Sequence, residues 1–131
     1  MSLYSRVGRP RPGGGSRTEL VIWYLMRVTG LLLFVLALSH FLILHVLYDP
    51  ADQTSAWIAQ IRWSSVFWRV FDWSLLMTVL FHAFLGVRTV VSDYSRGAVR
   101  RLAVGGLSIL AAILFALGTV VVLTLPVIPK G

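Results

Sequence analysis

The chain has 131 residues, of which 57% are hydrophobic and 13% charged, and its net charge is +7. A soluble domain of this length has too little interior to bury so much apolar surface, so the composition indicates one integral membrane domain. The absence of cysteine excludes disulfides, thiolate-held iron–sulfur clusters and covalently attached c-type haem on this chain. In so apolar a chain, the arginine excess indicates membrane orientation and headgroup contact, and not nucleic-acid binding.

Residues 1–17 are predicted to form a flexible basic arm, because proline, glycine and arginine dominate the segment. The arm is either a disordered tail or a contact for a soluble partner or anionic lipid, and we expect it to stay in the mature chain because it lacks the features of a secretory signal. Residues 18–131 are predicted to form one membrane domain with spans at about 21–48, 66–91 and 102–127. The predicted fold class is therefore all-α and integral to the membrane.

The first span contains three residues that are unusual inside a membrane. Arg27 lies about one turn inside the predicted helix start, where it either snorkels to headgroups or pairs with a buried anion. His40 and His45 fall in the second half and point about 140° apart on a helix, so they cannot clamp one ligand together. The Asp49-Pro50 pair is expected to end this helix.

The connector after the first span carries Trp57, Ile58 and Ile61 at near-helical spacing, which predicts a short helix lying in the membrane interface. Arg69 and Asp72 then mark the outer end of the second span, and their spacing allows an ion pair within the helix. The third span has no charged residue but several glycines and alanines, which favours a structural role through close helix packing.

The second span ends in the segment HAFLGVRTVVSDY, which places a histidine deep inside an apolar run. On a helix, His82, Thr89 and Asp93 share one face, and Gly86 removes a side chain beside the imidazole, where a broad flat group can approach. Asp93 and Tyr94 lie roughly 16–18 Å further along the axis, near the helix end. The segment therefore joins a ligand-type residue to a polar pair at the membrane boundary.

The arginine distribution predicts the orientation of the chain. The N-terminal segment and the turn after the second span contain the following arginines: Arg6, Arg9, Arg11, Arg17, Arg27, Arg88, Arg96, Arg100 and Arg101. The opposite side contains Arg62, Arg69 and Lys130. By the positive-inside rule, the amino end is expected to be cytoplasmic, and so are Asp93 and Tyr94.

His82 has two possible roles on this reasoning. An intramembrane histidine is either hydrogen-bonded to a neighbouring helix or a ligand, and neutral imidazole binds haem iron well. Adjacent helices pack about 8–10 Å apart, whereas a haem with an imidazole on both faces needs a separation beyond about 12 Å. We therefore expect the second axial ligand to come from a partner membrane subunit, with which this chain forms half of a larger helical bundle.

The segment resembles the second-span signature of the small hydrophobic membrane-anchor subunit of succinate dehydrogenase, respiratory complex II, a cytochrome b556-type family. The matching residues are His82, Ala83, Gly86, Asp93 and Tyr94. The basic residue that opens RVTG in the first span, the chain length, the three spans and the predicted orientation also resemble that family. The resemblance covers most of the chain from about Thr18.

The resemblance implies roles for five residues. His82 is expected to be an axial ligand of haem b, and Arg27 to lie near the haem propionates or the quinone pocket. Tyr94 is expected to donate a hydrogen bond to a carbonyl of ubiquinone or menaquinone, with Asp93 beside it helping to set the proton supply. Arg88 is a weaker candidate for the role given to Arg27. FAD and iron–sulfur clusters are expected only on two soluble partners, a flavoprotein and an iron–sulfur subunit.

Some alternatives remain open at this stage. His40 or His45 is a candidate ligand for a second haem, or is held by packing and hydrogen bonds. Tyr94 is otherwise an interfacial anchor, and Asp93 a cap for the following turn.

The predicted function is that of a succinate:quinone oxidoreductase anchor, multi-pass in a bacterial cytoplasmic membrane, with no complete active site of its own. The alternatives are a fumarate reductase anchor, or a non-redox small transporter or assembly protein. A higher-order oligomer of the whole complex is left open.

Overall fold

The computed structural model describes residues 16–124, and every regular element in that part of the chain is helical. Most of the predicted basic arm, and residues 125–131, lie outside the described residues. The elements are α1 (Arg17–Leu42) continued by a π-helical turn (Ile43–Leu47), a 3-10 turn (Pro50–Asp52), α2 (Ser55–Trp57) continued by a second π-helical turn (Ile58–Arg62), α3 (Val66–Tyr94) and α4 (Gly97–Thr124).

Three helical stretches are long and apolar enough to cross a bilayer: Arg17–Leu47, Val66–Tyr94 and Gly97–Thr124. Most of their apolar side chains are exposed, as expected for helices that contact lipid. The predicted fold class, three membrane helices with a short helix between the first two, is therefore confirmed.

Helix α1 begins at a capping box formed by Ser16 and Glu19. The Glu19 N–H donates to Ser16 Oγ at 3.3 Å, and the Ser16 N–H donates to Glu19 Oε2 at 3.2 Å. Because the helix starts at Arg17, Arg27 lies almost three turns inside it, and not one turn as the sequence predicted. Arg27 is therefore a residue of the helix body, and its guanidinium lies 3.9 Å from the centre of the Trp23 ring.

The opposite end of the first span widens into a π-helical turn before the chain reverses. Gln53 Nε2 donates to the Leu44 carbonyl, which satisfies one acceptor of this wider turn. Asp49 Oδ1 accepts from the Ala51 N–H at 2.9 Å, and Pro50 follows directly, so the predicted end of the helix is explained by these residues.

Helix α3 lies between α1 and α4 and contacts both. At Gly118 the side chain of Leu76 packs so closely on α4 that a Cβ would lie 2.5 Å from Leu76 Cδ2, which only a glycine avoids without a shift. Trp73 Nε1 also donates to Thr119 Oγ1 at 3.1 Å, so α3 and α4 are joined by both packing and a hydrogen bond. Gly105 and Gly106 have no such neighbour, so Gly118 is the described glycine of α4 that fulfils the predicted packing role.

The connection between α3 and α4 is only two residues long. Helix α3 ends at Tyr94, and α4 begins at Gly97, whose φ of 59° lies in the left-handed region that favours glycine. Arg100 and Arg101 therefore belong to the first turns of α4, whereas the sequence predicted a polar turn extending to Arg101. This short turn brings the carboxyl end of α3 and the amino end of α4 to the same level.

The predicted Arg69–Asp72 ion pair is wrong. Asp72 instead pairs with Arg62 from the connector, with Arg62 Nη2 2.6 Å from Asp72 Oδ1 and Arg62 Nε 3.1 Å from Oδ2. Arg69 donates to the carbonyls of Trp63, at 2.7 Å, and of Val122, at 3.0 Å. The connector folds back onto α3. Asp72 therefore pairs with Arg62, ten residues away in sequence, and not with Arg69 on its own helix.

Candidate functional site

His82 lies on α3 where that helix faces α1. Its Nδ1 is 3.0 Å from the hydroxyl of Thr29, and its Cε1 would be 3.4 Å from a Cβ placed on Gly30. The hydroxyl of Thr29 also contacts the Leu25 carbonyl at 2.6 Å. The half-buried imidazole is therefore seated against the RVTG segment of α1.

The hydrogen bond to a neighbouring helix, which was one of the two roles considered for His82, is thus observed. It engages only Nδ1, and no hydrogen bond or ion pair engages Nε2 anywhere in residues 16–124. An imidazole held by one nitrogen with the other available is the usual arrangement of a metal-binding histidine. The two roles are therefore compatible in this geometry.

Gly86 lies one turn from His82 and faces α1. A Cβ at this position would be 3.7 Å from Met26 Cε, so the space that the glycine leaves is bordered by that methionine. Methionine is flexible and adapts readily to a neighbouring group.

A polar groove opens toward the amino end of α1, bordered by α1, the last turns of α3 and the start of α4. It has a volume of about 770 Å³, and Gly86 lies in its wall. Three of the sequence-predicted site residues border it together: Arg27, Arg88 and Asp93. The groove therefore combines two guanidinium groups and a carboxylate with apolar walls from Trp23 and Met26.

Two further charged residues, which the sequence analysis did not select as site residues, also border this groove. Glu19 comes from the capping box of α1, and Arg100 from the first turn of α4. The Ser-x-x-Glu pattern at residues 16–19 was the available signal for Glu19, because it marks a helix start and so brings the residue to the groove.

Tyr94 is not in the groove. It is the last residue of α3, its side chain is 89% exposed, and it is absent from the groove lining. The two residues of the predicted Asp93–Tyr94 pair thus face different surroundings: the carboxylate borders the groove, and the phenol points away from this chain.

His40 and His45 lie at the other end of α1. His40 Nε2 is 3.9 Å from Asp72 Oδ1, beside the pair that Arg62 and Asp72 form. His45 Nδ1 contacts the Phe41 carbonyl at 3.2 Å, and its ring stacks on Phe41 with centroids 4.7 Å apart. The structure therefore brings neither histidine near His82 or the groove.

Over the described part of the chain, no three metal-ligating side chains converge. The donor that this chain offers at His82 is a single imidazole. Such a donor suits a haem iron, whose porphyrin supplies four ligands and which needs only axial ligands from protein.

Three helices that are long and apolar enough to cross a membrane place the chain in the class of integral membrane proteins. The chain matches the succinate dehydrogenase/fumarate reductase transmembrane subunit family over residues 2–124, and it belongs to that family. It is 29% identical over 96 residues to the succinate dehydrogenase hydrophobic membrane anchor subunit of Archaeoglobus fulgidus, which covers 73% of this chain and 80% of that protein. The family resemblance predicted from the sequence is confirmed.

Proposed function

We propose that this chain binds haem b and quinone in a succinate:quinone oxidoreductase, and that it helps pass electrons from an iron–sulfur subunit to membrane quinone. The family supports association with other complex II subunits. The observation that carries the finer proposal is the seat of His82, where Nδ1 is engaged by Thr29 and Nε2 is left for a ligand.

The haem supplies a one-electron carrier within the membrane when it is bound. His82 would hold the haem through one ring nitrogen, and a further ligand would come from the partner membrane subunit, because α1 already packs against α3 at this level. Gly30 supports this role because its bare backbone lies close to the imidazole, at a distance where a Cβ would already contact His82 Cε1.

The groove supports a quinone-binding role for Arg27, Arg88 and Asp93. Quinone reduction takes up two electrons, which arrive from the iron–sulfur partner, and two protons, which must come from water. Arg27 stacks on Trp23, which leaves the N–H edge of its guanidinium to donate to a quinone carbonyl. Asp93 is exposed at the groove margin, where a carboxylate can relay protons from the aqueous side.

Tyr94 takes part in this proposal through the partner subunits. Its phenol points away from this chain, so it can donate to a quinone carbonyl only where the partner surface meets the end of α3. The arginine-rich end of the bundle is assigned to the cytoplasm, and the membrane to the bacterial cytoplasmic membrane. Succinate oxidation is the assigned direction, and fumarate reduction is the alternative that the family name also covers.

The experiment that tests the function is purification of the assembly through a tag on this chain. We expect a flavoprotein, an iron–sulfur protein and a second membrane subunit to copurify, with a low-spin b-type spectrum and succinate:quinone reductase activity. Recovery of this chain without a flavoprotein, or of a colourless assembly, would contradict the proposal.

The quinone roles are tested by Tyr94→Phe and Asp93→Asn. Loss of the phenol hydrogen bond is expected to lower quinone reduction about tenfold, and loss of the carboxylate proton relay more strongly, by about 10²-fold. Succinate oxidation by a soluble dye should not change, because the flavin and iron–sulfur subunits are intact.

The matched control is Tyr48→Phe, which removes a phenol at the opposite end of α1. It should leave both rates unchanged. If Tyr94→Phe also leaves both rates at the wild-type level, Tyr94 is only an interfacial anchor.

A further inference from the structure

The Thr29 hydroxyl makes two short contacts, besides a longer one of 3.4 Å to the Met26 carbonyl. Its Oγ1 is 2.6 Å from the Leu25 carbonyl, one turn back on α1, and 3.0 Å from His82 Nδ1 on α3. A threonine hydroxyl has one proton to donate and lone pairs to accept with, so only one of these contacts can use its proton. Which of the two groups receives the Thr29 proton determines which ring nitrogen of His82 carries hydrogen.

The two distances indicate that the Thr29 hydroxyl donates its proton to the carbonyl oxygen of Leu25. A separation of 2.6 Å is typical of O–H···O, and 3.0 Å is typical of N–H···O. The carbonyl of Leu25 can only accept, so the Thr29 hydroxyl donates to it and accepts from His82 Nδ1–H. His82 is therefore the tautomer with hydrogen on Nδ1 and a free lone pair on Nε2.

Gly30 completes the seat. A Cβ at this position would lie 3.4 Å from His82 Cε1, at van der Waals contact with the ring. The consecutive residues Thr29 and Gly30 thus contact the same imidazole, Thr29 by accepting a hydrogen bond from Nδ1–H and Gly30 by placing bare backbone beside Cε1.

We propose that Thr29 is a positioning residue for His82, which holds the Nδ1–H tautomer and so directs the Nε2 lone pair to the haem iron. This inference rests on the proposed function, since it requires that His82 binds haem. It goes beyond that function by assigning a task to a residue that never touches the cofactor.

The proposal predicts two effects of Thr29→Val, which keeps the shape of the side chain and removes the acceptor. Without its acceptor, Nδ1–H is left unpaired and the ring can turn. The affinity for haem should therefore fall by about 10–100-fold, the usual cost of removing such an orienting partner, and haem should leave the complex faster. The haem midpoint potential should rise, because a hydrogen bond from Nδ1–H makes imidazole a more electron-rich ligand and favours the ferric state.

The experiment uses the purified complex, with haem transfer to excess apomyoglobin and an optical redox titration as its two readouts. Thr29→Ser restores an acceptor without the methyl group and should return both readouts toward wild type. Thr124→Val is the matched control: it removes a hydroxyl with the same 2.6 Å bond to the carbonyl one turn back, at the far end of α4. It should leave both readouts unchanged.

The outcomes separate this inference from the proposed function. If His82→Ala keeps its haem, the proposed function fails. If His82→Ala loses haem while Thr29→Val behaves as wild type, the haem assignment stands and the positioning role is overturned. A Thr29→Ser variant as defective as Thr29→Val, or a Thr124→Val variant with the same defect, would also overturn it, because packing and not the hydrogen bond would then be responsible.

Discussion

His82→Ala is expected to yield an assembled complex that has lost its haem b. The substitution removes the nitrogen that we assign to the iron and leaves a methyl group in place of the imidazole that lies against Gly30. Without the His82 imidazole this chain would no longer hold the haem, so the complex should lose the cofactor or its low-spin spectrum. Haem per complex, measured as pyridine haemochrome, and the reduced-minus-oxidised spectrum check this result.

His45→Ala is the matched control for that measurement. His45 is exposed at the other end of α1 and bonds only to the carbonyl of Phe41 within the described chain. Its replacement should leave the haem that depends on His82 in place. An unchanged haem content and spectrum in His82→Ala would refute the assignment, whereas a partial loss in His45→Ala would reveal a second haem.

Asp72→Ala is expected to be the most destabilising single substitution outside the haem site. Arg62 is only 4% exposed, and its guanidinium is held by Asp72 while it lies 4.3 Å from the centre of the Trp68 ring. Trp63 Nε1 also donates to the same carboxylate at 3.0 Å. Removing Asp72 strands a buried cation and an indole N–H, which typically costs about 3–5 kcal/mol. Unfolding in a denaturing detergent titration measures the loss.

Two further variants show whether the buried charge is the cause. Asp52→Ala removes an exposed aspartate from the same connector and should change the free energy of unfolding by less than about 0.5 kcal/mol. The double variant Arg62→Leu/Asp72→Leu removes both charges and should recover much of the stability, because no uncompensated ion remains. Equal losses in Asp72→Ala and in the double variant would indicate that packing, and not charge, holds the connector.

The spans and the short helix between them could be predicted because each depends on local composition. Uncharged runs of about 20 residues have few alternatives to a membrane helix, and tryptophans at helical spacing mark an interface. The Asp49-Pro50 pair likewise predicts the end of the first helix, because proline has no backbone N–H with which to continue it. These signals need no knowledge of distant contacts.

Two errors in the fold arose for different reasons. The early start of α1 was encoded locally, since Ser16 and Glu19 have capping-box spacing, and the sequence analysis did not use that signal. The Arg62–Asp72 pair was not encoded locally: the helical spacing favoured Arg69, and only the folded connector brings Arg62 within 2.6 Å of the carboxylate.

The candidate site was predictable where one residue was chemically anomalous. A histidine inside an apolar run drew attention to His82, and the neighbouring charged residues Arg88 and Asp93 do meet Arg27 at one groove. Thr29 was missed as a partner of His82, because a threonine on a membrane helix usually bonds its own backbone, and its second bond depends on how α1 packs against α3.

The length of α1 has a consequence for how a lipid-soluble molecule reaches the groove. Together with its π-helical end, the helix covers Arg17–Leu47, 31 residues, or about 46 Å, against a hydrocarbon thickness of about 30 Å. The helix is therefore about 16 Å longer than the hydrocarbon layer is thick. The extra length extends beyond the acyl chains, so one continuous helix passes from bulk water to the bilayer interior. A molecule with an isoprenoid tail could follow this wall with its headgroup among arginines and its tail still dissolved in lipid.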